Sequence, residues 1–225
     1  MSAALAIFVK TPGYSPIKTR LAASIGQPCA EHFHRLAAAA VAAVARAATP
    51  AVAPCWAIAE HEAAADPLWS GWPTVWQGDG DLGARLHHVC AQLQERHGRV
   101  VMIGADAPQI TVNLLHRAID ALDDVDTPFV LGRAHDGGFW LFGTRQPVEE
   151  SAWLAPRYSS IDTANMLVDA LSPAGAIASL PKLNDVDDGD DLLSLVTALK
   201  ALDDPLPEQG TLLQWLLDEC LGTDE

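Results

Sequence analysis

Residues 99–108, with the sequence RVVMIGADAP, constrain the fold of this 225-residue chain more than any other stretch. The uninterrupted apolar run 100–103 predicts a strand that is buried on both faces of a parallel sheet. Asp106 follows at the carboxyl end of that strand, which is where open α/β sheets bind their ligands. Thr111 is then placed to cap an amphipathic helix over residues 112–122. An acid in this position is also common in plain turns, so the rest of the chain has to distinguish the two interpretations.

Strand-like and helix-like patterns alternate along the chain, which predicts an α/β fold with a doubly wound, mostly parallel sheet. The other predicted strands are residues 5–10, 55–59, 74–76, 128–131, 139–142 and 176–180. The other predicted helices cover residues 29–48, 162–171, 190–202 and 211–221, and one more begins near Leu82. The simplest organisation is a single domain over residues 1–225, in which residues 144–175 form a lid or an extra lobe.

The composition of the chain excludes several classes of partner. A net charge of −15 would repel nucleic acid and anionic membranes. The alanine-rich stretch 36–48 is too short to span a bilayer, and the first residues lack the pattern of a signal peptide. The four cysteines form no CxxC pair and have no metal-site spacing, so we expect reduced thiols. Together these features predict a soluble, cytoplasmic protein.

A positively charged segment follows the first predicted strand. Lys10, Lys18 and Arg20 fall within eleven residues of a chain that holds only 14 lysines and arginines. A loop between a strand and a helix that offers backbone amides and such side chains is suited to binding phosphate. The P-loop pattern GxxxxGK[ST] is absent. The alternative is a solvated basic loop with no ligand.

A glycine-rich turn, residues 77–85 with the sequence QGDGDLGAR, leads into the helix that begins near Leu82. Glycine lets a backbone approach a ligand closely, and free amides at a helix start can contact a nucleobase, a ribose or a phosphate. Asp81 is also a natural N-cap for this helix. The residues that would contact a ligand here are Gly78, Gly80, Gly83 and Arg85.

A second junction of strand, acid and glycine occurs at residues 132–140, GRAHDGGFW. Asp136 would face a ligand there, with Gly137 and Gly138 allowing close approach of the backbone. Asp-Gly is also a strong turn signal, so an ordinary turn is the competing interpretation.

Five acids crowd into residues 185–191, DVDDGDD, immediately before a predicted helix. Asp190 and Asp191 fall where the helical pattern begins, and the helix dipole accounts for them. Asp185 and Asp187 lie two positions apart, so their side chains share one side of an extended segment. A divalent cation would relieve their mutual repulsion. The histidines, by contrast, lie in helical patterns without a third ligand at a suitable spacing.

Five motifs occur in the order FVKTPGYSPIKTRLA, QGDGDLGARL, VVMIGADAP, VLGRAHDGGFWLFG and LPKLNDVDDGDDL. In this order they resemble the motifs of small bacterial transferases of the glycosyltransferase-A, or nucleotide-diphospho-sugar transferase, fold. Members are usually labelled glycosyltransferase-like proteins, some of them associated with arsenosugar biosynthesis. The motifs are also similar to those of phospholactate and molybdopterin guanylyltransferases. This chain departs from the family at Tyr14-Ser15-Pro16, where members have a Pro-Gly pair.

The resemblance implies a transferase that depends on Mg²⁺ or Mn²⁺ and takes a nucleotide-sugar donor and a small-molecule acceptor. It implies that Asp106 contacts the metal or the donor diphosphate, and that Asp185 or Asp187 completes the metal site. In this interpretation the cations of residues 10–20 balance phosphate charge, and the turn at 77–85 holds the base or ribose.

Two alternatives remain open beside glycosyl transfer. One is nucleotidyl transfer, in which an acceptor phosphate attacks a nucleoside triphosphate, whose larger charge suits a loop with three cations. The other is a nucleotide-binding protein that has lost catalysis. For either transferase we assign catalysis to Lys18, Asp106 and Asp136, with Asp136 orienting the acceptor or acting as general base.

Overall fold

The apolar run at residues 100–103 lies in the central strand of a seven-stranded sheet. The structure is a computed structural model, and it describes residues 2–220. In chain order the strands are β1 (Ala3–Val9), β2 (Val52–Ile58), β3 (Thr74–Trp76), β4 (Val100–Gly104), β5 (Phe129–Ala134), β6 (Phe139–Thr144) and β7 (Ile177–Leu183). Their order across the sheet is β3-β2-β1-β4-β6-β5-β7.

Neighbouring strands are parallel except at β6, which runs antiparallel to both β4 and β5. The prediction of an α/β fold with a mostly parallel sheet is confirmed, with one reversed strand added. Because β6 runs the other way, its amino end lies at the same edge as the carboxyl ends of the other strands.

Helices fill the connections between strands. Within residues 2–220 they are α1 (Thr19–Ile25), α2 (Gln27–Ala47), α3 (Leu82–His97), α4 (Val112–Ala121), α5 (Glu150–Leu154), α6 (Thr163–Leu171), α7 (Asp191–Lys200) and α8 (Pro207–Trp215). The sequence did not predict α1, which Gly26 separates from α2 by adopting a φ of 84°. The last predicted helix, 211–221, is found as the end of α8 and a π-helical turn at Leu216–Cys220, and Leu221 lies outside the described residues.

Helices cover both faces of the sheet. On one face Val41 of α2 and Leu115 of α4 join Ile103 of β4 in a continuous core. On the other face Val89 of α3 packs with Met102 of β4 in a second core. Because β4 is buried from both sides, it needs the continuous apolar run that predicted it.

Two helices, α3 and α4, begin at the N-cap residues that the sequence predicted. The Leu114 amide donates to the Thr111 hydroxyl at 3.2 Å, at the start of α4. The Ala84 amide donates to the Asp81 carboxylate at 3.0 Å, at the start of α3. Both side chains therefore satisfy amides that the first helical turn leaves unpaired.

Residues 144–175 contain α5 and α6, which pack against the α3 side of the sheet. Trp153 of α5 and Leu167 of α6 are fully buried in the same core as Val89. This packing joins the segment to the body of the sheet, and a lid movement of these residues stays a prediction.

A third layer of helices lies outside α2 and supports the loop that carries Asp106. Leu195 of α7 and Leu212 of α8 are buried there with residues of α2. From α8, the Gln209 amide donates to the carbonyls of Pro108 and Ile110, at 2.8 and 2.9 Å. The carboxyl-terminal helix thus holds the loop after β4.

No helix within residues 2–220 is long and apolar enough to cross a membrane. Cys29, Cys55 and Cys90 are free thiols, and the side chain of Cys220 lies outside the described part of the chain.

We expect Gln209→Leu to lower the free energy of unfolding by about 2 kcal/mol, because two buried carbonyls lose their donors. Urea unfolding of the variant and the wild type measures this difference. Gln214→Leu is the matched control, since Gln214 is exposed and its side-chain amide donates to the exposed Asp218 carboxylate. A Gln209 variant as stable as this control would contradict the bracing role of α8.

Candidate functional site

A cavity of about 700 Å³ opens at the edge of the sheet where β1 and β4 end and β6 begins. The predicted site residues that line it are Lys10, Lys18, Arg20, Asp106, Asp136, Gly138, Asp185 and Asp187. These residues come from widely separated parts of the sequence, and the sheet topology brings them to one place.

The other predicted residues lie behind the cavity wall or beside it. Gly78, Gly80, Gly83, Arg85 and Gly137 are not among the lining residues. Their prediction as ligand contacts rested on glycine content, which packing and turn geometry explain equally well.

Gly83 is required by packing. A Cβ at this position would lie 2.5 Å from the Trp153 carbonyl oxygen and 2.9 Å from the Tyr158 ring. The Arg85 guanidinium donates to the Gly80 carbonyl at 3.0 Å, within the same turn. The turn before α3 is therefore built around its own contacts.

Position 137 also requires glycine, because the backbone of Ile161 comes too close to leave room for a Cβ. Its φ is 94°, and a Cβ there would lie 2.0 Å from the Ile161 carbonyl oxygen. The Asp136 carboxylate accepts a hydrogen bond from the Gly138 amide at 2.7 Å. The Asp-Gly turn that the sequence predicted as the competing interpretation is thus present, and it delivers Asp136 to the cavity.

Lys18 is the most constrained cation of the cavity. It precedes α1 with φ 47° and ψ 47°, a left-handed conformation that is uncommon for a residue other than glycine. Its ammonium lies 3.0 Å from an Asp106 carboxylate oxygen and 4.0 Å from one of Asp187, and it also donates to the Val186 carbonyl. The Lys18 side chain is only 8% exposed, so its charge depends on these partners.

Asp106 is tied to the segment after β7 through its backbone as well. The Val186 amide donates to the Asp106 carbonyl at 3.1 Å. Nearby, the Gln109 amide donates to the Asn184 carbonyl at 2.5 Å. The loop after β4 and residues 184–187 therefore form one connected unit.

The acids that come together differ from the predicted metal set. That set was Asp106, Asp185 and Asp187, whereas the structure gathers Asp136, Asp185 and Asp187, with carboxylate oxygens within 4.8 Å of one another. Asp106 is not a member of this group, and its carboxylate is paired with Lys18. We refer to Asp136, Asp185 and Asp187 as the acidic triad.

Burial and neighbouring acids both act on the Asp185 carboxyl of the acidic triad. Burial, followed by the negative charge of Asp136, raises the pKa of Asp185 from 3.8 to about 6. Asp187 is balanced by Arg20, whose guanidinium lies 3.2 Å from its carboxylate. The two-residue spacing of Asp185 and Asp187 does place their carboxylates together, as predicted.

Asp191 holds the turn before α7. Its carboxylate accepts hydrogen bonds from the amides of Asp187 and Asp188, at 2.8 and 3.0 Å. Asp190 and Asp191 lie at the start of α7, outside the acidic triad.

Several lining residues were not predicted. His34 of α2 is buried beside the cavity, with its Nε2 2.9 Å from the Lys10 carbonyl oxygen, and burial lowers its pKa. Phe139, Tyr158, Ser159 and Thr163 line the side formed by β6 and the segment before α6. The sequence offered a signal only for Phe139, which follows the Asp-Gly-Gly turn, because the others depend on how the helices pack.

Comparison with known proteins identifies the family of this chain. Residues 35–160 match the family described as "Uncharacterized protein conserved in bacteria (DUF2064)". The chain belongs to the DUF2064 family. No curated protein shows significant similarity to it.

Solved structures extend the comparison of this DUF2064 protein. A candidate nucleotide-diphospho-sugar transferase from Desulfovibrio desulfuricans G20 has a TM-score of 0.83 and 25% identity, covering 96% of both chains. A cytidylyltransferase from Leptospira borgpetersenii has a TM-score of 0.58 and 11% identity, covering 96% of this chain and 94% of that one. Rv0371c of Mycobacterium tuberculosis, in complex with manganese, has a TM-score of 0.54 and 19% identity, covering 89% of this chain and all of that one. The last two share the fold.

We expect acid to destabilise the DUF2064 protein partly through His34. Because its pKa in the folded state lies below the unfolded value, the unfolded state binds the proton more readily and stability falls as the pH drops through about 6.5. Substituting His34→Gln retains an amide donor for the Lys10 carbonyl and should reduce the stability lost between pH 7.5 and pH 5.5. Urea unfolding at both pH values tests this, with exposed His116→Gln as the control for loss of a histidine as such. Equal losses in all three proteins would contradict the role of His34.

Proposed function

We propose that this protein is a transferase that binds a nucleotide or nucleotide-sugar donor together with Mg²⁺ or Mn²⁺. The observation that carries the proposal is the cavity at the sheet edge, where cations from residues 10–20 face four carboxylates. A 700 Å³ cavity is large enough for a nucleotide. The similarity to a candidate nucleotide-diphospho-sugar transferase supports the same assignment.

The phosphates of the donor would lie against the loop between β1 and α1. Lys10 is exposed, and the Arg20 side chain is 68% exposed, so both can turn toward an arriving phosphate. Lys18 is already bound to Asp106 and acts from a fixed position. The donor would thus meet one preorganised charge and two adaptable ones.

The acidic triad fits a divalent metal. Its donors are carboxylate oxygens, the ligands preferred by Mg²⁺ and Mn²⁺, and they lie within 4.8 Å of one another. Burial, followed by the negative charge of Asp136, raises the pKa of Asp185, and a bound cation would offset that negative charge. The manganese complex of Rv0371c shows that a protein of this fold takes such an ion. When bound, the metal would offset phosphate charge and stabilise a departing diphosphate or pyrophosphate.

Glycosyl transfer from a nucleotide sugar is our first choice of reaction, with Lys18, Asp106 and Asp136 as the residues nearest the chemistry. Nucleotidyl transfer from a nucleoside triphosphate is the second, favoured by the shared fold of the cytidylyltransferase. Thermal-shift measurements with UDP-glucose, GDP-mannose, CTP and GTP, each with Mn²⁺, separate the two. A ligand that binds only the folded state at a hundred times its Kd stabilises it by about 2.7 kcal/mol. No shift with any of the four would contradict the proposal.

We expect Arg20→Ala to weaken binding of the best nucleotide by about tenfold and to leave binding of its parent nucleoside unchanged, because the lost contact is charge-assisted. Isothermal titration with both ligands measures this. Arg117→Ala, an exposed cation on α4 outside the cavity, is the matched control. Equal losses for nucleotide and nucleoside would assign Arg20 to loop structure instead.

We expect Asp187→Asn to weaken Mn²⁺ binding by about tenfold or more, since a hard anionic ligand is replaced by an amide. Asp190→Asn should stay within about twofold of the wild type, because Asp190 lies outside the triad. Titration of Mn²⁺ monitored by electron paramagnetic resonance gives both affinities without a substrate. If Asp190 were needed and Asp187 dispensable, the metal site would lie elsewhere.

A further inference from the structure

Charge is divided unevenly between the two sides of the cavity. The lysines and arginines among its lining residues all come from residues 10–20, on the side of α1. The side formed by β6 and residues 158–163 contributes Asp136 and no cation to the lining. Among the lining residues, the positive charge that suits phosphates is therefore confined to one side.

The other side is largely apolar. Leu86 of α3, Phe139 of β6 and Tyr158 belong to the core on the α3 face of the sheet, and they extend that core into the cavity wall. Leu82, which also lines the cavity, is 46% exposed. An apolar surface that continues from the core into an open cavity is typical of a ligand-contact surface.

The polar groups on this side are mostly committed to the protein itself. The Tyr158 hydroxyl donates to the Trp153 carbonyl at 2.8 Å. The Thr163 hydroxyl is within 2.8 Å of the carbonyls of both Arg157 and Ser160. Tyr158 consequently offers its ring carbons to a ligand, while Asp136 supplies the negative charge next to them.

We propose that this side binds the acceptor, and that the acceptor is a neutral or cationic molecule with an aromatic or other apolar ring. The inference rests on the proposed function, because it assumes that the donor phosphates occupy the side of residues 10–20. A phosphorylated acceptor would place a second anion beside the donor phosphates and the acidic triad, whose three carboxylates carry more charge than one divalent ion offsets. Such like-charge contacts are costly, and this side of the lining adds no cation to relieve them. An amine or a hydroxyl attached to a ring meets both the charge and the apolar wall.

Three ligands with one ring and different charge test the proposal. Benzylamine, benzyl alcohol and benzyl phosphate are titrated into the full-length protein with Mg²⁺ and saturating inorganic pyrophosphate, which fills the phosphate side. Binding is followed by saturation-transfer difference NMR. We expect benzylamine and benzyl alcohol to bind at least about fivefold more tightly than benzyl phosphate.

Variants of Asp136 and Tyr158 test whether these residues cause the effect. Asp136→Asn should reduce the preference for benzylamine over benzyl alcohol, because the side chain loses its charge while the apolar wall is kept. Tyr158→Leu should weaken all three ligands, whereas Tyr158→Phe, which keeps the ring, should preserve their order. Thermal unfolding of each variant confirms that it is folded, and the phenylalanine variant keeps the test valid if the leucine variant is not.

The outcomes separate this inference from the proposed function. Benzyl phosphate binding as tightly as benzylamine overturns the inference even when nucleotides bind. An unchanged preference for benzylamine over benzyl alcohol in Asp136→Asn overturns the assignment of charge. Failure of every nucleotide to bind overturns the proposed function. The side formed by β6 and residues 158–163 could then no longer be assigned to an acceptor.

Discussion

The buried ammonium of Lys18 is the interaction on which the cavity depends. It joins the loop after β1 to Asp106 after β4 and to Asp187 after β7, and its contact with the Val186 carbonyl adds a neutral partner. A charge that is 8% exposed cannot rely on water, so these three segments must stay together for it to remain solvated. The left-handed backbone at Lys18 is the local strain that accompanies this arrangement.

The sheet topology explains why acids from distant parts of the chain meet. The reversed strand β6 begins at the edge where β4 and β5 end, so the turn between β5 and β6 brings Asp136 there. Two strands, β6 and β5, separate β7 from β4 in the sheet. The chain after β7 returns across these strand ends, and the hydrogen bond from the Val186 amide to the Asp106 carbonyl secures its position.

The two sides of the cavity follow from the two faces of the sheet. The cations reach it from the loop between β1 and α1 and from the first turn of α1, which packs against α2. The rings reach it from the α3 face, where they pack against the second core. The loop after β4, which carries Asp106, is held by a helix from the end of the chain. The side-chain amide of Gln209 in α8 donates to the carbonyls of Pro108 and Ile110.

Residues 10–20, 185–187 and Gln209 all lie outside the span 35–160 that matches the family. The matched span thus contains Asp106 and Asp136, whereas Lys18, which pairs with Asp106, and the other two acids of the triad lie outside it.

The sequence by itself determined the central strand, because burial on both faces demands an unbroken apolar run. It also determined the caps at Thr111 and Asp81, and the shared side of Asp185 and Asp187, because these are local consequences of helix and strand geometry. Only the tertiary structure decided the direction of β6, the pairing of Lys18 with Asp106, and the use of Gly83 for packing against Trp153. Each of these depends on which distant group lies opposite. Periodicity and spacing report how a residue is buried, and they do not report what it is buried against.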